Sequence, residues 1–135
     1  MNIVENIKNS ATRDININIW DDYYDDGYVP DGEILETFIY VEDYDFSHDE
    51  RKKILLYLKD KIDSYNFPIE TKMSIYDTKI EYPNLDFDEL GMKHWKRHEI
   101  RVYNMTHKIR HELIKKLKKE NLEIDNKKIN IYSES

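Results

Sequence analysis

Apolar and polar residues alternate over residues 14–20, where Asn16 and Asn18 separate Ile15, Ile17 and Ile19. A period of two puts the isoleucines on one face of a half-buried strand. Residues 32–41 predict a second strand. Leu35, Thr37, Ile39 and Val41 share one face, and Ile34, Glu36, Phe38 and Tyr40 share the other. Bulky apolar groups on both faces predict a central strand, paired with the first as a hairpin with a long loop.

The period changes at Ser47-His48-Asp49-Glu50, a capping box that opens a helix. Ile54, Leu55, Leu58, Ile62 and Tyr65 then fall on one core-facing stripe, and Asn66-Phe67-Pro68 stops the helix. Alternation returns over residues 69–82, through Ile69, Thr71, Met73 and Ile75, then Thr78, Ile80 and Tyr82. A turn near Tyr76-Asp77 makes this a tight hairpin; without it the stretch is one long bent strand.

Helical spacing reappears over residues 93–121. Trp95, Val102, Met105, Ile109, Leu113 and Leu117 share one side, while Lys93, Lys96, Arg97, Arg101, Lys108, Lys115, Lys118 and Lys119 share the other. This predicts a long basic amphipathic C-terminal helix with weak points at Gly91 and Asn104. Residues 127–132 predict a closing edge strand, and Ile3, Val4 and Ile7 a short helical turn or docking arm. The expected fold is a single α+β domain over residues 1–135. Its order is ββαβ(β)αβ, with a mostly antiparallel sheet of four to five strands and two helices packed on it.

Composition narrows the chemistry. Charged residues make up 36% of the chain and apolar residues 39%, so a modest core lies under a charged surface. With no cysteine, disulfides and thiolate metal sites are excluded. With three glycines, a backbone phosphate cradle is not expected. No apolar run approaches the roughly 18 residues of a membrane span, and the N-terminus lacks the pattern of a signal peptide. A cytoplasmic location is expected, in a host cell if the gene is viral. The richness in Ile, Lys, Asn and Tyr suggests an AT-rich source such as a phage or mobile element.

The layout of charge changes the picture more than its net value of −7. Residues 14–50 hold 13 acids and no Lys or Arg, whereas residues 93–119 hold 10 Lys and Arg against Glu99 and Glu112. Either the two blocks face each other within the fold, or one of them meets an oppositely charged partner. The densest acidic stretch is WDDYYDDGYVPDGE, residues 20–33. It partly resembles the calcium loop of the EF-hand, with Asp22, Asp26, Gly27, Val29 and Glu33 in the expected places. Tyr24 stands where that loop needs a ligand, and the flanks read as strands rather than helices.

Other motifs carry less. His94 and His98, like His107 and His111, have the i,i+4 spacing of zinc ligands, but on one helix the pairs point apart. Arg101 and His107 resemble the Arg-x5-His spacing of HEPN ribonucleases, which are all-helical. Glu70-x-Lys72 resembles the end of a PD-(D/E)xK nuclease motif. Neither comes with the rest of its machinery, so no catalytic residue, metal or cofactor is expected.

Dense carboxylates mixed with tyrosine and tryptophan suit a contact surface for a basic partner. The expected function is therefore a small acidic, non-enzymatic binding protein, an inhibitor of the immunity or phage anti-defence type. Its partner would be a basic nuclease, toxin or defence component. The expected contact residues are Trp20, Asp21, Asp22, Tyr23, Tyr24, Asp25, Asp26 and Tyr28. The alternative is a nucleic-acid-binding or processing protein that uses Lys93, Lys96, Arg97, Arg101 and Lys108 on the basic helix.

Overall fold

The computed structural model of the chain describes residues 14–22, 35–42, 46–91 and 96–134. They build an α+β fold with a mixed sheet of six strands and three helices. In chain order these are β1 (Ile15–Asp22), β2 (Leu35–Val41), α1 (His48–Ser64), β3 (Glu70–Asp77), α2 (Thr78–Glu81), β4 (Lys96–Met105), α3 (His107–Lys119), β5 (Glu123–Ile124) and β6 (Lys127–Glu134). The strand order across the sheet is β3-β4-β2-β1-β6-β5.

β1 and β2 pair antiparallel with Ile19 opposite Ile39 and Trp20 opposite Phe38. β2 is interior, as its two apolar faces predict, with β4 antiparallel on its far side. β6 departs from the expected edge strand. It runs parallel to β1, Ile15 opposite Ile129, and the short β5 covers part of its outer side. Four of the five pairings are antiparallel and only β1–β6 is parallel, so the sheet is mixed, with six strands where four to five were expected.

α1 forms where the capping box places it, with Ser47 Oγ accepting from the Glu50 N–H at 3.1 Å. Ile54, Leu55, Leu58 and Ile62 are buried on its inner stripe. They meet Ile15, Ile17, Ile19, Ile39 and Ile100 of the sheet in one core cluster. Burying a side chain of this size contributes about 1.5–3 kcal/mol. Leu113 and Leu117 of α3 join the same cluster, so both long helices cover the same face of the sheet.

The long basic helix is not formed. Residues 96–105 are β4, and the helix begins only at His107. On a helix, Ile100 would lie among the basic residues, away from any core. On the strand it shares the inner face with Val102, and both are buried. Asn104, the penultimate residue of the strand, lies in the left-handed region at φ 65°, where the β2–β4 register shifts. Thr106 then caps α3, its Oγ1 accepting from the Ile109 N–H at 3.3 Å. Met105 and Leu113 lie in one core cluster, so strand and helix give the sequence an unbroken helical spacing.

Residues 69–82 are likewise one strand followed by the short α2, not a hairpin. Asp77 turns the chain by accepting from the Lys79 N–H at 2.9 Å. The expected arm at residues 1–13, most of the acidic loop, and Lys93, His94 and Trp95 lie outside the described residues. Among the described residues, no helix is long and apolar enough to cross a membrane.

Candidate functional site

Strand alternation sends a second set of side chains to the face away from α1 and α3. Trp20, Phe38, Arg101 and Lys72 form one row across β1, β2, β4 and β3. Trp20 stacks on Phe38 with ring centroids 5.8 Å apart, and the Arg101 guanidinium lies 5.2 Å from the Phe38 ring. Arg97 sits 3.9 Å over Tyr40 and 5.5 Å from Tyr76, which faces it across the β3–β4 register. The Lys72 ammonium lies 5.6 Å from the Tyr103 ring. Each such cation–π contact contributes about 0.5–2 kcal/mol, more as water is excluded. The outer face is therefore a ladder of rings and guanidiniums.

At its centre stands Glu99, only 1% exposed. Arg97 donates to its Oε2 at 3.2 Å, whereas Oε1 is buried with no hydrogen-bond partner among the described residues. Burial pushes the Glu99 carboxyl above the usual 4.5, against the pull of Arg97 and Arg101. Asn18 on β1 is a second buried polar side chain of this face. Its Nδ2 donates to the Tyr40 hydroxyl at 3.0 Å, and its Oδ1 is buried without a partner.

Part of this face lines a cavity of about 380 Å³. Trp20, Phe38, Tyr76 and Tyr82 form its aromatic walls, and Glu36 and Glu81 join Glu99 as its carboxylates. Arg97 and Arg101 complete the lining. That volume lies near the lower end of small-ligand sites, and its mix of rings with a few convergent polar groups is typical of them.

Compared with family models, curated proteins and solved structures, the chain matches none. The site is therefore read from its own residues.

Of the expected contact residues, Trp20 is 37% exposed on the outer face. Asp21 points the other way. It is buried, accepts from Thr37 Oγ1 at 2.6 Å and forms an ion pair with Arg110. Burial pushes its carboxyl up, while Thr37 and Arg110 pull it down. Its carboxylate is thus turned into the fold, not toward a partner. Asp22 ends β1, and Tyr23, Tyr24, Asp25, Asp26 and Tyr28 lie outside the described residues.

The basic set is not gathered on one helix. Arg97 and Arg101 lie on the outer face of β4, Lys96 pairs with Asp77 at 3.6 Å, and Lys108 belongs to α3. The acidic and basic blocks meet inside the molecule through Asp21 with Arg110, and through β2 beside β4. His98 packs edge-on against His48, with centroids 5.6 Å apart. Among the described residues, no group of three or more His, Cys, Asp or Glu could hold a metal.

Phe38, Tyr40, Tyr76, Tyr82 and Glu99 form much of the site and were not among the expected contact residues. Their signal is the alternation of Arg97, Glu99, Arg101 and Tyr103, which is visible only when residues 96–105 are read with a period of two.

Proposed function

We propose that the protein is a non-enzymatic binding protein, an inhibitor of the immunity or anti-defence type. It presents the outer sheet face, and the acidic-aromatic segment that leaves its rim at Trp20, to a basic protein partner. The observation that carries this reading is Trp20 itself. An exposed indole, stacked on Phe38, stands where β1 runs into the most acidic stretch of the chain. Tryptophan, tyrosine and arginine in a central patch are the composition of binding hot spots. Tyr82, Tyr103 and Tyr132 add exposed rings, and Ile80, Leu85 and Leu90 add exposed apolar area after β3. Carboxylates around such a patch steer a basic partner and raise its association rate.

The test is capture from the native host, identification of the retained protein, and measurement of its affinity. Trp20→Ala weakens binding at least tenfold, and neutralising Asp22, Asp25 and Asp26 slows association at low salt. A partner that binds the Trp20→Ala variant as tightly as the wild type overturns the reading.

A second reading follows from the interleaving of Lys72, Arg97 and Arg101 with Phe38, Tyr40, Tyr76 and Tyr103. Rings beside cations on an open sheet face can stack the bases of a single strand. Arg97 is already held by Glu99, with its side chain 15% exposed, which leaves less charge for phosphates. A salt-dependent mobility shift of labelled single-stranded DNA or RNA, lost in Arg101→Gln, favours this reading. No shift at low salt removes it.

A further inference from the structure

We infer that the cavity around Glu99 receives a cationic side chain, the guanidinium or ammonium of a basic protein partner. This deepens the proposed function and rests on it, naming the group that the outer face recognises.

The inference starts from an unpaired acceptor. Glu99 lines the cavity and is 1% exposed, and its Oε1 has no hydrogen-bond partner among the described residues. Buried polar atoms are nearly always paired, so an isolated acceptor next to a cavity marks where a ligand's donor fits. The lining charges select the sign of that ligand. Glu36, Glu81 and Glu99 stand against Arg97 and Arg101, three negative groups to two positive. Arg97 lies over Tyr40 and donates to Glu99, whereas Arg101 lies over Phe38 and keeps one buried donor, Nε, without a hydrogen-bond partner among the described residues. The carboxylates are in excess, and Glu99 carries the unpaired acceptor.

An entering anion could take the Arg101 Nε–H but would meet all three carboxylates. A neutral donor could serve Oε1 but would make no use of Glu36 and Glu81. A guanidinium uses all three carboxylates and the rings. One N–H reaches Oε1, the plane lies against Trp20 or Tyr82, and the remaining N–H groups face Glu36 and Glu81. An ammonium gains the charge and the ring faces but not the planar stacking. Burial holds the Glu99 carboxyl above its usual range, and an arriving cation offsets that effect by favouring the ionised form.

The chain has two tryptophans, so Trp95→Phe leaves Trp20 as the only indole reporter in the wall of the cavity. In that background, N-acetyl-arginine amide is titrated while Trp20 fluorescence is followed, with circular dichroism checking the fold. N-acetyl-citrulline amide, the neutral isostere, and inorganic phosphate are run alongside. The arginine probe gives a saturable change, and the citrulline probe binds at least tenfold more weakly. Phosphate gives no saturable change. Glu99→Gln lowers affinity for the arginine probe at least tenfold. The milder Glu36→Gln/Glu81→Gln pair lowers it several-fold and serves as the deciding variant if Glu99→Gln perturbs the fold. Equal binding of arginine and citrulline, saturable phosphate binding, or indifference to these carboxylate variants overturns the inference. With a captured protein partner the two proposals separate. Affinity lost in Trp20→Ala but kept in Glu99→Gln and in the Glu36→Gln/Glu81→Gln pair retains the binding face and rejects the cation site. Affinity kept in Trp20→Ala rejects the face itself.

Discussion

Asp21 of β1 and Arg110 of α3 form an ion pair under the helices, joining the most acidic part of the chain to the most basic. The carboxylate is further held by Thr37, and both side chains are largely removed from water. The pair fixes the first turn of α3 against the end of β1.

Removing one member of a buried pair leaves an uncompensated charge, which costs about 3–5 kcal/mol. Arg110→Met is therefore expected to lower unfolding free energy by about that amount in urea denaturation. Asp21→Asn/Arg110→Met together should cost less than Arg110→Met alone, because the stranded carboxylate is gone. A loss of under 1 kcal/mol in Arg110→Met would show that the pair does not hold α3.

Glu99 gives a pH signature. Its folded value lies above the usual 4.5, so the folded state binds this proton more tightly than the unfolded chain. The resulting stability is complete below pH 4.5 and is lost as pH rises through the folded value. The wild type should gain stability relative to Glu99→Gln as pH falls from about 7 to about 4. Parallel pH profiles for the two proteins would contradict the buried setting of this carboxyl.

His98 runs in the opposite sense. Burial, followed by the nearby His48, Lys52 and Arg51, holds its pKa below the usual 6.5, with Asp49 opposing them. The folded state therefore holds this proton more weakly, and its contribution is complete above pH 6.5 and lost as pH falls through the folded value. Between about pH 7.5 and pH 5.5 the wild type should lose more stability than His98→Gln. Equal losses in paired urea titrations would refute this.

The β5–β6 hairpin turns on Asp125 and Asn126, with φ of 52° and 64°. Two consecutive left-handed residues make the turn that suits a two-residue hairpin, and glycine is favoured at its second position. Asn126→Gly should raise the melting temperature slightly. Asn126→Val should destabilise by about 1–2 kcal/mol, the cost of a left-handed β-branched residue. Equal melting temperatures for the two variants would argue against this turn.

Much of the fold is legible from spacing where one periodicity acts alone. Ile15, Ile17 and Ile19 give β1, and Ser47 with the Ile54–Ile62 stripe gives α1. β4 is hidden because two periodicities overlap. Val102 and Met105 continue into the Leu113 and Leu117 stripe as though on one helix, and only Ile100 contradicts it. The short β5 and the parallel pairing of β6 leave no local trace, since both depend on partners far along the chain. The candidate site was half visible for the same reason. Trp20 announces itself by composition, but Glu99 looks like one charge among many until β4 places it in the sheet.

The parallel pairing of β1 with β6 has a consequence for how the protein is made. Ile15 and its partner Ile129 stand 114 positions apart, so β1 receives its second neighbour only after more than a hundred further residues have been made. Until then a strand carrying Ile15, Ile17 and Ile19 keeps one free edge, which is a template for pairing with other chains. A chain that stops short of residue 127 would be released with that edge open. Truncation before residue 127 should therefore appear in the cell as aggregated protein rather than as a shortened, soluble binder.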